Sequence, residues 1–154
     1  MSEAESLVAY VPLSGGKQQK ALMPANLSAA FLKAHETFKD KHGNIDDFVQ
    51  EKLGYKTRGE LYKALSAQQI DAVGFAISQH ESGGSFINGN VMGMGKGRVA
   101  AAMLVYASRH KMTPVFFTER PNLYPAMMRD LADIGYGHLR PLVTNDGLTG
   151  SKAL

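Results

Sequence analysis

The spacing of apolar and polar positions divides the chain into helical stretches punctuated by glycine. From Asn26 the residues Leu27, Ala30, Phe31, Ala34 and Phe38 recur at helical intervals, and Gly43 closes the run. Residues 45–53 and 57–65 carry two shorter amphipathic patterns separated by Gly54. Ser66-Ala-Gln-Gln69 has the form of a capping box, in which serine and glutamine satisfy each other's backbone N–H groups. Ile70, Val73 and Ile77 continue that helix on one face until Ser82-Gly83-Gly84.

After Gly84 the period changes. Residues 85–88 and Pro114-Val-Phe-Phe-Thr118 read as short strands, with a helix over 97–110 between them whose stripe is Val99, Ala102, Met103 and Tyr106. A last helix is predicted from Pro121, at its first position, to about Ile134, with Leu123, Met127, Leu131 and Ile134 facing inward. Strand, helix, strand, helix at these lengths implies a βαβα unit with parallel strands and a right-handed crossover. The expected fold class is therefore α/β. The expected organisation is an extended tether over 1–25, a helical accessory region over 26–65, an α/β core over 66–145 and a disordered polar tail over 146–154.

The candidate chemistry lies between the first of these strands and the helix that follows. Asn90-Val-Met-Gly93-Met94-Gly95-Lys96-Gly97-Arg98 is a glycine loop and a lysine opening a helix. Such a loop turns backbone N–H groups toward an anion, the helix N-terminus adds partial positive charge, and the lysine adds a full one. Against the P-loop pattern G-x-x-x-x-G-K-[ST], Gly95 and Lys96 match, Asn90 stands where the first glycine would be, and Gly97 stands where the Mg²⁺-binding hydroxyl would be. A Rossmann fingerprint from Gly93 would need glycine at position 98, which is Arg98. The bland alternative is a glycine-rich turn with a solvated lysine.

Composition narrows the classes. At 154 residues and 44% hydrophobic the chain has the material for one packed domain. No stretch of 18 apolar residues is present, and the acidic start Met-Ser-Glu-Ala-Glu is unlike a signal peptide, so no membrane partner and a cytoplasmic location are expected. The absence of cysteine excludes disulfides, thiolate metal sites and cysteine nucleophiles. The five histidines have no metal-ligand spacing, and no metal site on protein ligands alone is expected. A net charge of +3 is compatible with nucleic acid without pointing to it.

Four segments in order carry a resemblance: Leu65-Ser-Ala-Gln-Gln69-Ile-Asp-Ala-Val73, then Ile87-Asn-Gly-Asn90-Val-Met-Gly-Met-Gly-Lys-Gly-Arg98, then Thr113-Pro-Val-Phe-Phe-Thr-Glu-Arg-Pro-Asn-Leu123, and Arg129-Asp-Leu-Ala-Asp-Ile-Gly135. Together they resemble the strawberry notch-like superfamily 2 helicases, and most closely the helicase-like region of large phage and plasmid antirestriction and DNA-methylase-associated proteins. The resemblance implies a partial P-loop NTPase (RecA-like) parallel sheet over 66–145. It implies ATP or ADP as ligand, with Lys96 on the β- and γ-phosphates and the backbone of Gly93, Met94, Gly95 and Gly97 around them. Arg98 would be a further phosphate-side charge, and Gln69 would read the adenine edge. Thr118, Arg120 and Asn122 would touch the backbone of single- or double-stranded DNA; read from the residues alone they are loop and cap chemistry. A location in host cytoplasm or virion would follow for a phage-encoded chain.

A nucleotide-hydrolysing motor also needs an acidic residue on a second core strand and a second lobe. Neither is recognisable, and only Glu119 and Asp146 have a loosely suitable context for Mg²⁺. The expectation is thus an ATP-binding module of a helicase-like, DNA-associated ATPase that stops before its Mg²⁺-binding motif, with Mg²⁺ bound only in a complete assembly. Val115, Phe116 and Phe117 on an unpaired strand would lead it to self-associate or to bind the remaining motor lobes. The alternatives are a small complete NTPase and a non-enzymatic DNA or protein adaptor.

Overall fold

A computed structural model describes residues 6–89 and 94–142. Leu7–Ala9 (β1) and Leu22–Pro24 (β2) pair antiparallel, with Val8 opposite Met23. A 3₁₀ turn at Ala25–Leu27 leads into α1 (Ser28–His42), followed by α2 (Ile45–Leu53), α3 (Arg58–Ala64), α4 (Ala67–Glu81), α5 (Lys96–Arg109) and α6 (Leu123–Asp133).

Local chemistry accounts for most boundaries. The Asn44 side chain accepts from the N–H groups of Asp46 and Asp47 at 2.9 and 3.0 Å, which opens α2, and Thr57 does the same for α3 through Glu60 N–H at 3.2 Å. The capping box at Ser66 and Gln69 is formed in both directions. The start of α6 departs from expectation. Pro121 precedes the helix in a turn, Asn122 flanks it without a side-chain cap, and Leu123 is exposed. Pro125 instead occupies the first turn, where its missing N–H would have had no partner.

Helix α4 is the centre of the core. It packs against α2 on one side and α5 on the other, and α6 closes on α5. Ile70, Val73 and Ile77 of α4, Val49 and Leu53 of α2, Leu61 of α3, Val105 of α5 and Leu131 of α6 are all buried in one cluster. Two tyrosines staple the far ends together. Tyr55 donates its hydroxyl to the Ile134 carbonyl at 2.7 Å, and Tyr136 donates to the Leu53 carbonyl. Among the described residues no helix is long and apolar enough to cross a membrane.

The expected partial P-loop (RecA-like) parallel sheet is not there: the only sheet among the described residues is the antiparallel pair β1–β2. Residues 85–88 and 114–118, expected as parallel strands, form neither strand nor helix. Ile87 is 91% exposed, Val115 63% and Phe117 87%, while Phe116 alone leans onto the core. Two reasons combine. Two short parallel strands without a third give too little pairing to hold each other in water. Meanwhile α5 presents Ala101 and Ala102, small enough for direct helix packing, so α5 packs straight onto α4 and α2, with α6 on α5, and leaves no layer for a sheet.

Candidate phosphate-binding turn

The turn that enters α5 is shaped by Gly95, whose φ of 69° is a left-handed conformation that favours glycine. A side chain there would also collide with the Gln69 amide. Lys96 and Gly97 follow as the first two residues of α5, so their N–H groups belong to the unpaired set at a helix N-terminus, where partial positive charge collects. Lys96 is exposed, and no hydrogen bond or ion pair engages it among the described residues. Asn90 and Gly93, also expected in the loop, lie outside the described residues, as do Asp146 and the tail 146–154.

The fold brings Gln69 to this turn from the start of α4. Its Oε1 accepts from Ser66 N–H at 2.9 Å, and its Nε2 donates to the Met94 carbonyl at 3.2 Å, with the Gly95 carbonyl at 3.5 Å. The capping role is therefore built, and the other end of the same side chain holds the loop. Arg98 is directed elsewhere. Its guanidinium donates to the Ala64 carbonyl at the end of α3 and pairs with Asp133 of α6, at 3.2 and 3.1 Å.

Asp130 is the residue the sequence reading missed. Its carboxylate reaches from α6 to Gly97, where an added Cβ would collide with it. An oxygen donor thus stands beside the position that would carry the Mg²⁺-binding hydroxyl of a P-loop. Partial burial raises its pKa against the pull of Arg98, and the neighbouring Asp133 adds to the rise. The available signal was its place between buried Met127 and Leu131, at the edge of the inward face of α6. Among the described residues no three acidic or histidine side chains gather as a metal cage, so a cation here would need phosphate oxygens and water to complete its shell.

An open cleft of about 440 Å³ adjoins Lys96. Ala76 and His80 of α4, Val99, Ala100 and Met103 of α5, and the connecting residues Gly84, Ser85, Phe86 and Asn88 line it. Its wall is mainly apolar, with the lysine at one edge. Thr118, Arg120 and Asn122 lie on the segment before α6. The Thr118 hydroxyl closes a local turn with the Arg120 backbone at 3.4 Å, and no hydrogen bond among the described residues joins these three to the Met94–Arg98 turn. Glu119 is exposed on the same segment. No family model, no curated protein and no solved structure matches this chain.

Proposed function

We propose that the protein binds a nucleotide, with the phosphates at the N-terminus of α5 and the base against the cleft beside it. The observation that carries this reading is the meeting of Gln69 with the Met94–Gly95 turn while Lys96 stands exposed at the same helix end. A polyphosphate there would gain the Lys96 charge, the N–H groups of the first turn and the helix dipole together. In this reading Gln69 holds the turn, since both ends of its amide are already engaged, and Phe86, Val99 and Met103 offer the base an apolar wall. Mg²⁺, brought in with the nucleotide, would find one protein oxygen at Asp130.

The test is thermal. ATP or ADP at about 100 times its Kd should stabilise the chain by roughly 2.7 kcal/mol, and Lys96→Ala should remove that gain without lowering the stability of the ligand-free protein. An unchanged melting temperature in millimolar nucleotide would end this reading. Because no acidic group among the described residues is set to position both metal and water, phosphate release by the purified chain is expected at background rate.

The same reading leaves exposed Ile87, Val115 and Phe117 for further polypeptide to cover, either a second copy or a helicase-like partner. Sedimentation of the purified chain should then show self-association, and the double variant Val115→Ser, Phe117→Ser should sediment as a monomer. A wild type that is already monomeric at high concentration and gains nothing from the substitutions would remove the self-association arm.

A further inference from the structure

Residues 10–19, between the two strands, contain no helix or strand, yet they are among the most heavily bonded stretches of the molecule. Two carboxylates hold them from below. Asp71 of α4 accepts from the Tyr10 hydroxyl at 2.6 Å and from the N–H groups of Leu13 and Ser14 at 2.8 and 3.0 Å. Asp46 of α2 accepts from the Ser14 hydroxyl at 2.5 Å and from Gly15 N–H at 3.0 Å; Tyr62 and Arg58 complete its shell at 2.7 and 3.1 Å. Three successive N–H groups thus converge on internal anions, as they would in an anion-binding nest. Both acids and Ser14 are buried.

The far end of this strap is joined to the first turn of α4. The Lys17 carbonyl accepts from Ala67 N–H at 2.9 Å, and Gln19 exchanges two hydrogen bonds with the Gln68 side chain at 3.0 and 2.6 Å. Gln69 comes next in sequence and reaches the Met94–Gly95 turn. A path of hydrogen bonds joined by short lengths of backbone therefore runs from the two acids, through the strap and the start of α4, to the loop in front of α5.

We propose that residues 10–19 are a positioning strap: seated on Asp46 and Asp71, they fix the first turn of α4 and so hold Gln69 against the Met94–Gly95 turn. Unseating the strap frees Ala67 and Gln68, loosens Gln69 and lets the turn relax. Resting on the nucleotide-binding reading, the coupling also runs in reverse, because a ligand that favours the ordered turn favours the seated strap by the same factor.

The experiment uses Ser14→Ala, which removes a donor to Asp46 and the acceptor of Gly16 N–H, and Gln68→Ala, which cuts the strap at Gln19. Neither touches the loop. In the nucleotide-free protein, NMR hydrogen exchange should rise at least tenfold at Ala67 N–H and at the Gln69 side-chain amide in either variant, with Leu131 N–H in α6 unchanged. Equal acceleration at Leu131, or none at Gln69, would show that the strap only covers the core and would overturn the proposal. Titration with ADP should then give a Kd at least fivefold weaker in each variant than in wild type. Equal affinities would overturn the coupling to the ligand. A wild type that binds no ADP would defeat the nucleotide reading, and the exchange data would still decide the strap.

Discussion

Gly74→Leu is expected to cost about 3 kcal/mol or more and to lower the melting temperature by roughly 10 °C. Gly74 lies in the middle of α4 where α2 crosses it, and a Cβ added there would stand 2.8 Å from both Cγ1 and Cδ1 of Ile45 and 3.3 Å from Cγ2 of Val49. Both neighbours are buried, so neither can swing into solvent. Even an alanine must displace buried Ile45, which offsets the gain of about 1 kcal/mol in helix propensity, so Gly74→Ala is expected to destabilise too, though by less than the leucine. A leucine gains similar propensity but has no volume to occupy, and α2 must move off α4. Thermal denaturation of the two variants checks this. A leucine variant as stable as the alanine one would show that the α2–α4 contact is loose.

Asp71→Ala is expected to destabilise the chain by about 3 kcal/mol at neutral pH, because the Tyr10 hydroxyl and the N–H groups of Leu13 and Ser14 lose their common acceptor. Asp71→Asn keeps a carbonyl oxygen for part of that set and should cost less. Its stronger signature is in pH. Asp71 is 1% exposed, and burial pushes its pKa up to about 6 against the hydrogen bonds that pull it down, with Asp46 adding to the rise. The folded state therefore favours the protonated acid. The stability contributed by that proton is fully present below the ordinary carboxylate pKa, near 3.8, and is lost as pH rises through about 6. Between pH 5 and pH 8 the loss is on the order of 1 kcal/mol.

His35 and His42 run the other way. Burial holds both below the usual imidazole value, so each adds stability as pH rises. The observable is accordingly the difference between wild type and Asp71→Asn, which should shift in the variant's favour by on the order of 1 kcal/mol from pH 5 to pH 8. Urea denaturation at the two pH values measures it. A difference that stays flat would mean that Asp71 is ionised in the fold throughout, with its charge satisfied by the strap. Tyr10 remains a donor across this range, since burial and the Asp71 charge drive its phenol far above its ordinary value.

What the sequence determined by itself is the helical framework. Asn44, Thr57 and Ser66 with Gln69 act on N–H groups two or three residues away, and the stripe Ile70, Val73, Ile77 needs only the period of a helix to share one face. These interactions are complete within one or two turns, so the residues that make them are readable in order. The glycine turn and Lys96 at the head of α5 belong to the same local class.

The tertiary structure decided everything that needed a partner from far along the chain. Residues 85–88 and 114–118 have strand-like composition, but a strand exists only where another pairs with it, and direct packing of α4, α5 and α6 gives these segments no sheet to join. Asp46 and Asp71 look like ordinary polar positions on two helices. Their burial follows from a strap that lies 31 to 61 residues from them in sequence. Gln69 and the loop it holds are 25 residues apart, and Asp130 meets Gly97 only because α6 folds back on α5. Capping and periodicity are settled by neighbours, whereas the burial of a charge and the pairing of a strand are settled by which surfaces the whole chain brings together.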